Sequence, residues 1–337
     1  LKGWYVKAQA TAKKRGDLSA PNYTLSNTGM NENNFSFGFG LNKIDTGFNV
    51  YYSLFTTEIG ILRASHIGNA RDLSNAINNA VPSFVESFSY SINSPKQDVN
   101  HHLVKLDYFK KIKSLGELQV QYAYQNNRRK EFDIRRGNRS DQAALDLELQ
   151  THQLQSNLSI NAFDDIDSDF GFELTYQDHF ANPETGVRRL IPDYELFSAG
   201  TYFTFQQKWQ DNLLFNAGVR YDYTSIDALK FYRTSRWNER GYQIDFSDII
   251  LEDFGTQLLT NPVFHYHNLS VSLGLSYSFN SISKLTTNLS LATRNPNPSE
   301  LFSDGLHHST ANIELGDLRL QQEKSYKFNA ALVNQWS

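Results

Sequence analysis

The sequence predicts an all-β fold, an antiparallel transmembrane β-barrel. Three observations carry that prediction: apolar and polar residues alternate with period two in many segments, short and long connections take turns along the chain, and no apolar run is long enough for a membrane-spanning helix. The alternation is clearest where Leu269, Val271, Leu273, Leu275, Tyr277 and Phe279 are interleaved with Ser270, Ser272, Gly274, Ser276 and Ser278. Successive strand residues point to opposite faces, so this stretch has one greasy face and one small, polar face.

The composition agrees once the barrel geometry is taken into account. A mean hydropathy of -0.52 with 20% charged residues suits a polar soluble protein, yet a barrel strand alternates lipid-facing with lumen-facing residues and so averages to a polar composition. Phe 24, Tyr 18 and Trp 4 against Met 1 and Pro 8 favour strands over packed helices. With Cys 0 there are no disulfides, thiolate metal sites or cysteine nucleophiles. The net charge of -4 gives no basic stripe for a nucleic-acid partner. No charged and then apolar leader follows Leu1, so the expectation is a chain that begins inside a larger gene product.

Taken in order, the pattern predicts roughly twelve strands, each long enough to cross a bilayer when tilted. They centre near residues 7, 38, 52, 106, 121, 155, 172, 202, 218, 273, 289 and 329. The second and third rest on Phe35, Phe37, Phe39 and Leu41, then on Phe48, Val50, Tyr52 and Leu54. The fifth and seventh rest on Leu118, Val120, Tyr122 and Tyr124, and on Phe170, Phe172, Leu174 and Tyr176. Phe215, Ala217, Val219, Tyr221 and Tyr223 mark the ninth, and Leu285, Thr287, Leu289 and Leu291 the eleventh.

Tight links fall near Ile44-Asp45, Lys111 to Gly116, Asp164 to Asp167, Gln210-Asp211 and Asn280 to Ser283. Long links fall at about residues 13 to 33, 59 to 100, 127 to 145, 179 to 193, 226 to 264 and 295 to 320. In an up-and-down antiparallel sheet successive links emerge at opposite ends, so all short turns share one side and all long loops the other. Short periplasmic turns and longer extracellular loops describe a bacterial outer-membrane barrel. A soluble β-sandwich or propeller is the alternative, and its loops need not sort by length. Trp4, Tyr5, Phe163, Trp209, Phe279 and Trp336 stand near strand ends, where interfacial girdles are expected.

One segment carries a specific motif. Arg294, Pro296, Glu300, Leu301, Gly305, Glu314 and Gly316 are followed by Leu320-Gln-Gln-Glu323-Lys324-Ser325. This arrangement, an Arg-x-Pro element leaving a strand, a Glu-Leu pair, a loop and a Leu-x-x-Glu-x-Ser start to the next strand, resembles TonB-dependent outer-membrane receptors. Phe55 to Asn69 looks like the long-loop segment of their iron-complex branch in Bacteroidetes, and His101-His102-Leu103 and Asn127 to Gly137 extend the similarity over most of the chain. The resemblance implies a barrel of about 22 strands plugged by an N-terminal globular domain. It also implies uptake of a scarce nutrient energised by the TonB complex, in contact with outer-membrane lipid and lipopolysaccharide. No plug domain is found in these residues, so residues 1–337 are expected to be a portion of a single barrel domain.

For the ligand, Arg128, Arg129, Lys130, Arg135, Arg136 and Arg139 concentrate positive charge. Guanidinium forks suit carboxylates and phosphates, which points to an anionic ferric siderophore such as a citrate-like complex. The plainer reading is solvated charge or contact with lipopolysaccharide phosphates. His307-His308 lies where haem-transporting members of the family carry an axial His, and imidazole is a good haem iron ligand. The flanking Thr293-Arg294-Asn295-Pro296 and Gly316-Asp317-Leu318 depart from the boxes usual in that branch. His265 and His267 share a strand face, whereas His101 and His102 point apart; neither pair supplies a third metal ligand. No catalytic motif is present, so the expectation is a receptor and not an enzyme, without a resident cofactor and with the iron complex as cargo. A passive porin and a soluble β-rich binding module are the rival readings.

Overall fold

The computed structural model describes residues 2–65, 70–135, 137, 139–163, 165–307 and 312–335. Twelve long strands run antiparallel to their neighbours in chain order: β1 (Trp4–Arg15), β2 (Met30–Asn42), β3 (Thr46–Gly60), β4 (Lys96–Ile112), β5 (Gly116–Phe132) and β6 (Leu145–Phe163), followed by β7 (Ile166–Ala181), β8 (Asp193–Trp209), β9 (Leu213–Arg233), β10 (Val263–Ser278), β11 (Ser283–Arg294) and β12 (Glu323–Asn334). A short hairpin, Ile250–Asp253 with Gln257–Thr260, adds to the end of β9 and brings the sheet to 14 strands. The all-β antiparallel prediction and the positions of the long strands are both met.

The connections also sort as expected. Short links occupy residues 43–45, 113–115, 164–165, 210–212 and 279–282, and long links 16–29, 61–95, 133–144, 182–192, 234–262 and 295–322. Ser114, Asp165 and Gln210 take positive φ in three of the short links, the reversal that a tight hairpin requires. Two boundaries are corrected. β9 runs on to Arg233, eight residues into the link expected at 226 to 264. The link expected at 127 to 145 starts only after Phe132, because Arg128, Arg129 and Lys130 continue the β5–β6 ladder opposite Glu148, Leu147 and Asp146. A strand held between two neighbours keeps its backbone hydrogen bonds satisfied above the bilayer whatever its side chains are, so side-chain polarity did not end it.

Register assigns the faces. Phe37, Tyr52, Val104, Tyr124, His152 and Tyr176 are paired strand to strand and stand in one row. Phe35, Phe37 and Phe39 on this side are exposed, whereas Gly38 and Gly40 on the opposite face are buried, so this is the outward, lipid-facing side. About midway along the strands the outward face carries tyrosine–histidine pairs: the hydroxyls of Tyr52, Tyr122, Tyr221 and Tyr223 meet Nδ1 of His102, His152, His267 and His265 at 3.0, 2.8, 2.7 and 3.0 Å. These amphipathic rings form an interfacial girdle. His265 and His267 thus each bond a tyrosine, and His101 and His102 point apart as expected, His101 meeting Asn127 on the inner side.

The inward face is polar and low. Gln153 donates to Glu173 at 2.7 Å, and Arg220 bridges Glu173 and Asp222 at 3.3 and 2.6 Å. Tyr202 lies flat over Gly171, and Phe109 over Gly47, where any Cβ would collide with the ring.

Candidate functional site

The candidate site is the end of the sheet that bears the long links. There the receptor-like segment is built as a staple. Arg294, the last residue of β11, stands opposite Glu323, the first of β12. Its guanidinium donates to Glu300 at 2.9 and 3.1 Å and to Glu323 at 2.9 Å, so one planar fork ties both strand ends to the loop between them. Past buried Pro296, a short helix runs over Pro298–Phe302. It starts there because Asn297 caps it: the Asn297 side chain accepts from the Glu300 N–H at 2.9 Å, and the Glu300 carboxylate accepts from the Asn297 N–H at 2.8 Å. The Arg294 bond, together with that from the Asn297 backbone, holds the Glu300 carboxyl below the usual carboxylate range.

The helix drives Leu301 and Phe302 into a buried cluster with Ile226, Tyr232, Trp237, Tyr242 and Leu318. Gly316 closes the loop against this helix, donating to the Ser303 carbonyl at 2.6 Å, and the Glu300 and Leu301 backbones occupy the place of any side chain it would carry. Gly305 pairs with Glu314 in a small hairpin, and Ser325 pairs with Ala292 in the β11–β12 ladder. The motif residues therefore shape the loop.

The other long links are bonded to it and to one another. Arg240 donates to the Gly316 carbonyl at 2.6 Å, and the Tyr242 hydroxyl donates to Asp317 at 3.0 Å. Arg319 donates to Asp245 at 2.8 Å while its guanidinium lies 4.8 Å from the Tyr242 ring centre, and the carboxylate bond holds the Arg319 guanidinium above its ordinary range. Arg188 ion-pairs with Asp304, and the Asp304 N–H reaches the Leu190 carbonyl at 3.2 Å. Arg135 donates to the Thr185 carbonyl at 3.1 Å, and Ser94 to the Ser140 carbonyl at 2.7 Å. Asn27, at φ 66, donates to the carbonyls of both Ile61 and Pro95 at 2.8 Å. Link by link, these bonds assemble one continuous roof.

The basic stretch does not act as one cluster. Arg128 is on the outward face, committed to Asp146 through bonds of 3.0 and 2.9 Å. Arg129 faces inward and ion-pairs with Glu131, which is buried. Arg135 and Arg139 sit in the 133–144 link, the first bonded to Thr185 and the second offering its carbonyl to the Gln142 N–H at 3.1 Å. His307 ends the short strand Asp304–His307 opposite Asn312. Arg136 and His308 lie outside the described residues, as does Trp336 of the expected girdle. Among the described residues no three His, Asp or Glu side chains converge as metal ligands.

Sequence reasoning passed over two roof residues. Lys230 is 3% exposed near the top of β9 and donates to the Phe302 carbonyl at 2.7 Å. Its shared parity with Ile226 and Ala228 was the available signal. Asn27 gave no local signal, because its partners are distant in sequence.

The chain matches the family model described as TonB dependent receptor-like, beta-barrel, over residues 14–337. A search of curated proteins returned no match. Among solved structures the chain is similar to the Serratia marcescens hemophore receptor HasR, a double mutant in complex with its hemophore HasA and heme, at 15% identity and TM-score 0.67 over 99% of this chain and 47% of that one. It is also similar to the closed form of the ferric-catecholate import receptor Fiu from E. coli K12, at 12% identity and TM-score 0.65 over 98% and 52% of the two chains. For the copper transporter OprC the values are 14% and 0.61 over 100% and 48%. At these identities the likeness is one of fold, and the chain spans about half the length of each receptor. With a family match that runs over nearly all its residues, this chain belongs to the TonB-dependent receptor β-barrel family.

Proposed function

We propose that this chain forms the wall and the ligand-facing roof of an outer-membrane receptor that takes up a scarce iron complex, a ferric siderophore in preference to haem. The roof carries the reading: long links on one end only, cross-bonded into a single surface, are where binding residues gather on a rigid scaffold. The family match supports a transporter and not an enzyme, and solved relatives described as handling heme or a ferric catecholate favour iron. On this proposal the remaining strands of a barrel of about 22, a plug and the TonB contact belong to the rest of a longer protein. The chain's coverage of about half of each solved receptor supports that arrangement.

With Arg128 turned outward, ligand contact is assigned to Arg129, Arg135, Arg136 and Arg139, whose guanidiniums suit a carboxylate-bearing ferric complex. The test uses the complete receptor. Arg135→Glu with Arg139→Glu is expected to weaken ferric-siderophore binding about tenfold or more, because an attractive charge becomes a repulsive one. Unchanged binding sinks the basic-site assignment. The haem reading rests on His307 at the tip of the roof hairpin Asp304–His307. If His307→Ala together with His308→Ala leaves the haem absorption spectrum of the receptor unaltered, axial ligation by that pair is wrong.

A further inference from the structure

We infer that the inner wall holds a second binding site, apart from the roof and close to the short-turn mouth, for an uncharged, hydroxyl-rich solute. The inference goes beyond the uptake reading and stands whichever iron complex the roof takes.

Asn49, Asp107, Gln121, Gln155 and Glu173 form one in-register row across β3 to β7. Their parity is opposite to that of Tyr52, Tyr124 and Tyr176, so the row faces the lumen. Phe109, Gln119, Asn157 and Gly171 form the next row toward the short links. A concavity of about 930 Å³ opens over these rows, and the rings of Phe109 and Tyr202 are part of its lining. Each ring lies over a glycine, which leaves apolar ring surface turned to the lumen. Phe109 and Gln119 stand three residues from the strand ends Ile112 and Gly116. At a barrel tilt that is about 8 Å from the short turn, so a solute crossing the wall's length meets this place last.

Charge and hydrogen bonding select the solute. The Asp107 carboxylate accepts from Asn49 at 3.0 Å and pairs with Lys105 at 3.2 Å. Glu173 accepts from Gln153 at 2.7 Å and from Arg220 at 3.3 Å. The third carboxylate of the lining, Glu117, stands opposite Lys111 at the mouth. A cation therefore finds each counter-charge already matched. Gln121 and Gln155, the cross-strand pair between Asp107 and Glu173, make no side-chain hydrogen bond among the described residues. An amide offers a carbonyl beside an NH2 group, and a hydroxyl both donates and accepts, so adjacent hydroxyls engage each Gln at both ends. An anion engages the NH2 groups alone and meets a carboxylate on either flank. The rings of Phe109 and Tyr202 supply apolar surface for the C–H face of a sugar-like ring. A concavity with a few convergent polar groups is the ordinary form of a small-molecule site.

The complete receptor, purified in detergent, tests this with maltotriose as an uncharged probe and citrate as an anionic one. Saturation transfer from receptor to probe, read by proton NMR, is expected for maltotriose and not for citrate. Gln121→Ala with Gln155→Ala is expected to weaken maltotriose binding about tenfold, the scale of two lost hydrogen bonds. Iron-ligand binding should stay as in the wild type, which separates a failure here from a failure of the uptake reading. Retained resistance of the folded barrel to unfolding in unheated detergent controls for folding of the double variant. A second measurement uses Gln121→Cys in this cysteine-free stretch, labelled with a small hydrophilic maleimide and located by mass spectrometry. The introduced thiol is expected to react in the folded receptor, and maltotriose to slow the reaction. The proposal is overturned if maltotriose receives no saturation, if citrate receives as much, or if the double variant binds maltotriose like the wild type. It is overturned as well if the thiol is shielded with and without the probe, which makes another part of the receptor the occupant.

Discussion

Phe302 is fully enclosed, its ring centre 6.1 Å from that of Phe264 and its carbonyl taken by Lys230. Truncation to Ala empties that place and costs about 3 to 5 kcal/mol by the precedent of buried aromatics. Because its neighbours belong to the roof and the strand tops, the expected outcome is local: amide protection is lost across 295–322 while the β5–β8 ladders keep theirs, measured by hydrogen exchange. Glu300 makes a pH prediction at the same scale. Its carboxyl titrates below the ordinary value of 4.5 in the folded loop, so on acidification the opened loop binds the proton first. The staple then contributes fully above that value and is lost as pH falls through the lowered one. Protection factors in the loop, with the intrinsic pH dependence of amide exchange divided out, should fall below about pH 4.5 in the wild type, and Glu300→Gln should flatten that dependence. A variant that keeps the wild-type profile excludes Glu300 as the titrating group.

A strand such as β10 has two faces with opposite tolerances. Leu273 faces lipid and Ser272 the lumen. In the complete receptor Leu273→Arg is expected to cost about 2 to 4 kcal/mol of folding stability near the bilayer midplane, and Ser272→Arg far less. Equal costs in a lipid-vesicle refolding titration contradict the assignment of faces. The strands were legible in the sequence for this same reason: lipid imposes period two, and Leu269 to Phe279 display it. Above the bilayer that pressure ends, so Arg128 to Phe132 read as loop although the backbone ladder continued. The motif around Arg294 and Glu300 was visible as spacing. Its role as a staple was not, because that depends on the register setting Arg294 against Glu323. The basic run read as one cluster for a related reason: a linear sequence does not show that neighbouring Arg128 and Arg129 sit on opposite sides of a wall.

In the whole molecule the sheet has two free edges, since β1 and β12 end the strand order and β12 is exposed along its length. Unpaired N–H and C=O groups are not tolerated in hydrocarbon and recruit other strands. Residues 1–337 refolded alone are therefore expected to aggregate or pair edge to edge in detergent. Inside the complete receptor the same strands should give a discrete folded species, as read by size-exclusion chromatography. A clean monomer of the isolated chain contradicts this. The inner surface has a different consequence. Because Tyr202 and Phe109 lie over Gly171 and Gly47, the inner wall projects less at these places. A domain or solute inside meets a ring lying over the glycine there instead of a projecting side chain, and replacing either glycine with a bulky residue would lift that ring into the passage and narrow it.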